Sequence, residues 1–137
     1  MTDPEKSLTG LWHGVYSYPR ETHPVYFTAT LIQSGTHLSG SSHEAEQALD
    51  GAPLTLYAML DGTRAGTDVR FTKTYDGSGG WDHAVAYEGR LDDTATEIDG
   101  EWVIRPQGEK PGLSGRFLMI RSAGASEKAV REAFEKV

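Results

Sequence analysis

The sequence predicts an all-β protein, an eight-stranded antiparallel up-and-down β-barrel with a short C-terminal helix, and three observations predict it. Apolar and polar side chains alternate with period two over most of the chain, as half-buried strands require. Turn residues interrupt that alternation at intervals of about 12 to 16 residues. Sixteen glycines in 137 residues favour tight turns and bent strands over helices. A chain of this length makes one domain, 1–137, with the barrel over 8–121 and the helix over 126–137.

The expected strands, in order, are Leu11–Tyr18, Val25–Gln33, Leu38–His43, Leu54–Leu60, Val69–Tyr75, His83–Leu91, Ile98–Ile104 and Leu113–Arg121. Their connectors carry Ser-Gly, Asp-Gly, Gly-Ser-Gly-Gly, Asp-Asp and Pro-Gly, each with the backbone freedom or pre-set φ a turn needs. The helix rests on Ser126 as a cap and one apolar stripe of Ala129, Val130, Ala133, Phe134 and Val137. An apolar-x-Gly pattern recurs at Leu8–Gly10, Leu38–Gly40, Leu60–Gly62, Ile98–Gly100 and Leu113–Gly115. Glycines inside strands mark sharp bends or close backbone approach, which a small closed barrel demands. A two-sheet sandwich is the alternative arrangement.

Alternation assigns the faces. The inward sets are Trp12, Gly14, Tyr16, Tyr18; Val25, Phe27, Ala29, Leu31; Leu38, Gly40, Ser42; and Leu56, Ala58, Leu60. They continue as Val69, Phe71, Lys73, Tyr75; His83, Val85, Tyr87, Gly89, Leu91; Ile98, Gly100, Trp102, Ile104; and Leu113, Gly115, Phe117, Met119, Arg121. Only the first strand has two partly apolar faces. Running the strands up and down collects Trp12, Leu31, Leu38, Leu60, Val69, Leu91, Ile98 and Arg121 at one apolar end. Tyr18, Ser42, Lys73, Tyr75 and His83 collect at the other, under longer connectors. One packed end and one polar mouth is the layout of a ligand cup.

Composition removes several functions. The formal charge of −7 and the absence of a basic stripe argue against nucleic acid. No apolar run reaches the roughly 18 residues of a membrane span. Met1–Ser7 is polar, without the apolar core of a signal peptide, so the expected location is cytoplasmic. Without cysteine there are no disulfides, thiolate metal sites or cysteine nucleophiles. The five histidines show no metal-ligand spacing, and Gly77-Ser78-Gly79-Gly80 lacks the Gly-Lys-Ser/Thr of a phosphate loop. No metal or cofactor is expected.

Gly10-Leu11-Trp12 at the start of the first strand and Arg121 at the end of the last resemble the calycins, the superfamily of lipocalins, fatty-acid-binding proteins and avidins. The resemblance implies a barrel closed by Trp12 packed against Arg121, with a trailing helix similar to that of lipocalins. Leu8–Trp12 and Leu118–Ser122 are also avidin-like, but the biotin-contacting residues find no match. Gly10-x-Trp12-x-Gly14 resembles the opening of the nitrobindins as well. Their axial histidine falls late in the chain, whereas the last histidine here is His83.

Lys73 is the sharpest candidate for function. An unpaired ammonium inside a barrel costs several kcal/mol, and an anionic headgroup would satisfy it. Glu44, at the rim, is the nearest acid the pattern offers. The expected ligand-binding set is Tyr16, Tyr18, Lys73, Tyr75, His83, Tyr87, Trp102 and Phe117, with Trp81 as an aromatic lid. The leading reading is non-catalytic binding of a small, partly apolar, in one variant anionic, ligand. Two others stand beside it. One is a barrel filled by its own side chains, acting through its outer face or as a homo-oligomer. The other is an isomerase or lyase using Lys73, His83 or a tyrosine for proton transfer.

Overall fold

Each strand of the computed structural model hydrogen-bonds to the next in chain order, and the eighth returns to the first, closing the barrel. The structure describes residues 6–19, 23–47, 50–80 and 82–122. The strands are β1 (Gly10–Ser17), β2 (Val25–Ser34), β3 (His37–Gln47), β4 (Pro53–Ala65), β5 (Asp68–Tyr75), β6 (Ala84–Leu91), β7 (Glu97–Ile104) and β8 (Leu113–Arg121). All pairings are antiparallel, and the β1–β8 ladder sets Trp12 opposite Arg121 and excludes the open sandwich. The expected helix at 126–137 and the lid residue Trp81 lie outside the described residues.

Two strands run further than the sequence suggests. β3 continues past His43 to Gln47, and β4 continues through Asp61-Gly62 to Ala65, so that Asp-Gly is strand and not turn. The glycine is required there: a Cβ on Gly62 would sit on the Arg70 carbonyl of β5. The extensions carry the period-two pattern inward to Glu44 on β3 and Arg64 on β4, both buried.

The inward faces otherwise follow the alternation, from Trp12 and Leu31 through Phe71 and Trp102 to Met119. Leu113 departs from it: at the outer end of β8 it is exposed, because only Ile104 stands beside it at the rim. Val15, outward by parity, is buried between Tyr26 and Leu118.

The closed end is a plug. The Trp12 indole donates to the Leu8 carbonyl (2.9 Å), and the Arg121 guanidinium lies over the Trp12 ring at 4.9 Å. Arg121 also donates to the carbonyls of Ala95 (3.1 Å) and Ser7. Arg64 caps the same end through the Lys6 carbonyl, the Gly66 carbonyl and the Gln33 side chain. These contacts satisfy cations that burial would otherwise penalise.

Candidate functional site

A charged, hydrogen-bonded cluster sits in the middle of the barrel. Lys73 points inward from β5 and Glu44 from β3, both fully enclosed, with 2.6 Å between Nζ and Oε1. Tyr75, two residues along β5, donates to the same oxygen at 2.9 Å, and Tyr16 of β1 donates to Oε2 at 2.5 Å. One carboxylate thus receives an ammonium and two phenols. The ammonium also faces the rings of Phe27 (4.7 Å), Tyr16 (4.9 Å), Tyr75 (5.0 Å) and Tyr87 (5.7 Å). In a site without bulk water such ring faces supply attraction that a hydrated surface would not.

Burial depresses the Lys73 ammonium below the ordinary lysine range, against the Glu44 carboxylate, which favours the charged form. Burial followed by the negative charge of Glu44 pushes the Tyr16 and Tyr75 phenols far above theirs. Tyr87 is raised by burial and then by its neighbours Tyr75, Glu44 and Tyr18. Partial burial lowers His83, with Asp82 opposing it. Near neutral pH these phenols are therefore hydrogen-bond donors and poor bases.

Rings fill the space beside the cluster. Phe71 stacks on Tyr87 at 4.9 Å, and Phe117 meets Tyr87 edge-on at 4.9 Å. Gly14 makes room for this packing, since a Cβ there would overlap the Phe27 ring. Toward the mouth, Tyr18 contacts Trp102 edge-on at 5.3 Å, His83 lies 4.9 Å from Tyr75, and the Trp102 indole donates to the Ser17 carbonyl. A cavity of about 10 Å³ remains there, lined by Tyr16, Tyr18, Tyr75, His83, Tyr87 and Trp102 with Val85 and Ile104. That is space for about one water. Lys73 lies one layer below it and Phe117 deeper still, behind Tyr87.

The sequence-predicted residues are thus brought into one column, six of them around the cavity, one in the ion pair and one in the ring cluster. Lys73 differs from the expectation in having a carboxylate of the chain itself where an anionic ligand was expected. Glu44, expected as an acid at the rim, is instead the buried partner of Lys73. Its signal was in the sequence, because Leu38, Gly40 and Ser42 continue by twos to Glu44 once β3 is allowed to run on. Ser42, beside Ala29 and Ala58 on the inner wall, holds the one buried side-chain polar atom without a hydrogen-bond partner among the described residues.

A cleft of about 460 Å³ opens over β1 to β3, bordered by His13, His23, Tyr26 and His43 and by Tyr18 and Glu44. Among the described residues no three His, Asp or Glu side chains converge as metal ligands. No helix among them is long and apolar enough to cross a membrane.

No protein-family model matches the chain, and no curated protein matches it in sequence. Among solved structures it resembles apocrustacyanin C2, at 18% identity and a TM-score of 0.50, over 100% of this chain and 74% of that one. The likeness is one of fold. Apocrustacyanin C1 (17%, TM-score 0.49, 100% of this chain and 74% of that one) and lobster apocrustacyanin A1 (17%, 0.48, 95% and 71%) are also similar. At such identities the likeness concerns the barrel alone. The Trp12–Arg121 contact is the one the calycin resemblance implied.

Proposed function

We propose that this calycin-like barrel is a non-catalytic binder of a small, partly apolar, uncharged molecule, held at the barrel mouth above the Glu44 cluster. One observation carries the reading: a buried ion pair with two phenols occupies a position where apolar residues of the same volume would be no less stable. Polar groups kept at such a cost, beneath a rim of Tyr18, His83 and Trp102, fit an anchor for the polar end of a ligand. Charge sets the ligand class. Lys73 is neutralised within the chain, so an entering anion would meet Glu44 without gaining a free cation. A ligand hydroxyl would cost less to desolvate and could donate to the phenol oxygens of Tyr16 and Tyr75, whose own hydrogens go to Glu44. Entry requires Tyr18 and His83, both only half-buried, to swing aside.

Native mass spectrometry of protein from its own host, with thermal shifts by decanol and decanoate, tests this reading. A copurified neutral molecule, and stabilisation by the alcohol exceeding that by the acid, are expected. Preference for decanoate would refute the uncharged class. The ring cluster of Phe71, Tyr87 and Phe117 favours a second reading, a filled barrel acting through its outer surface. Absence of copurified ligand, with no response to either probe, would select it.

A further inference from the structure

Strand register gathers on one side of the barrel residues that the sequence scatters. On the outer face His13 of β1 stands opposite Thr28 of β2, Thr28 opposite His43 of β3, and His43 opposite Tyr57 of β4. Tyr26 lies two residues from Thr28 on the same face of β2, and His23 just ahead of that strand. Three of the five histidines of the chain thus border the cleft of about 460 Å³. Phe27 and Glu44 border it too, but their side chains point into the barrel and are at most 4% exposed, so the cleft lies over the wall.

The lining narrows the occupant. Its volume is that of a small-molecule site. Among the described residues no lysine or arginine borders it, whereas Glu44 and Glu46 do, which disfavours an anion. The imidazoles border the cleft without converging, since no three His, Asp or Glu side chains among the described residues could share a metal. A wholly apolar ligand would desolvate the imidazoles and the Thr28 hydroxyl without giving them partners. An uncharged molecule with apolar faces and a rim of hydroxyls meets all of these conditions.

We propose that this cleft binds a short, neutral oligosaccharide laid across β1 to β4. His13 and Tyr26 are half-buried and so held in place, while His43 and Tyr57 are exposed, their ring centroids 6.3 Å apart. These flat side chains offer ring faces to the C–H faces of a sugar. Within the described protein no hydrogen bond engages the side chains of His13, Thr28 or His43. Imidazole and hydroxyl groups both donate and accept, as sugar hydroxyls do. From β1 to β4 is three strand spacings, about 14 Å, which is wider than one sugar ring. Because the cleft is open and the sugar must shed water to enter it, affinity is modest, with a Kd of about 1 mM.

Heteronuclear NMR on the full chain, titrated with maltose, cellobiose and lactose to about 50 mM, tests the site. At least one sugar should move the ring signals of His13 and His43 and the Thr28 methyl signal saturably. Tyr26→Ala and His43→Ala should each raise that Kd about three- to tenfold. His43 is exposed, so its variant keeps the test open even where Tyr26→Ala misfolds. Leu113→Ala, exposed on β8, should leave the Kd unchanged. Glucuronate should bind less well than glucose, because carboxylates border the cleft. The reporting imidazoles do not line the cavity at the mouth, so this result and that of the decanol test are independent. No movement with any of the three disaccharides, tighter binding of glucuronate than of glucose, an unchanged Kd in His43→Ala, or imidazole signals moved by micromolar zinc and by no sugar would each overturn the assignment.

Discussion

Removing the charge of Glu44 has an effect that its contacts allow to be sized. Glu44→Gln leaves the Lys73 ammonium enclosed, with a neutral amide oxygen in place of a carboxylate 2.6 Å away. Breaking one half of a buried pair costs about 3–5 kcal/mol. In a domain of this size that lowers Tm by roughly 10–20 °C. Lys73→Met strands the carboxylate instead, though Tyr16 and Tyr75 still donate to it, and the loss should fall at the lower end of that range. The double variant Glu44→Gln, Lys73→Met behaves differently. The thioether packs among the rings that now surround the ammonium, and the amide oxygen still accepts from a phenol. Its stability should return to within about 1 kcal/mol of the starting protein, giving a coupling of at least about 5 kcal/mol. Urea unfolding followed by tryptophan fluorescence on all four proteins measures the cycle. Additive losses in the double variant, or single losses under about 1 kcal/mol, would show that the two groups are not a dry, mutually dependent pair.

Alkaline titration should report the three enclosed phenols. Their folded-state values lie above the unfolded value of about 10, so the stability they confer is complete below that pH and is lost as pH rises beyond it. Phenolate absorbance should therefore show three of the six tyrosines ionising together with the loss of circular dichroism; smooth titration of all six before unfolding would contradict their burial. At the closed end, Arg121→Ala removes the contact over Trp12 and the bonds to Ala95 and Ser7, and should cost about 1–2 kcal/mol. Arg121→Lys should recover only part of it, since an ammonium cannot stack and fork as a guanidinium does. Equal thermal stability of all three proteins would refute a structural plug.

Alternation and turn chemistry made the barrel legible. The eight strands, their inward faces and the opposed ends rest on local signals that tertiary context did not override, because a closed barrel imposes the same parity on every strand. The failures share one cause. Asp61-Gly62 and His43-Glu44 read as ends, since turn residues and a charge usually terminate a strand, and each time the chain ran on. In the first case the glycine serves close backbone approach. In the second the charge faces a partner 29 residues along the chain, on β5. Pairing between distant strands is invisible to composition, so Glu44 became a rim acid and Lys73 a cation in search of a ligand. Cavity size was hidden for the same reason: four rings from different strands occupy the space that the inward sets enclose.

Two departures from what stability alone would select therefore share the same strands. β3 turns Glu44 inward between His43 and Ala45, and β4 turns Leu56 and Ala58 inward while Tyr57 and Met59 face outward. Charge is kept where water is excluded, and apolar side chains are kept where water has access. Each choice alone has a bland explanation, since buried pairs occur in scaffolds and single exposed apolar residues are ordinary. Their placement is less ordinary, because β3 and β4 pair along the whole of β3 and any slip by one residue would exchange the two faces. The register that encloses Glu44 is the register that presents Met59. The inner cluster is therefore read as a feature retained for binding a small molecule.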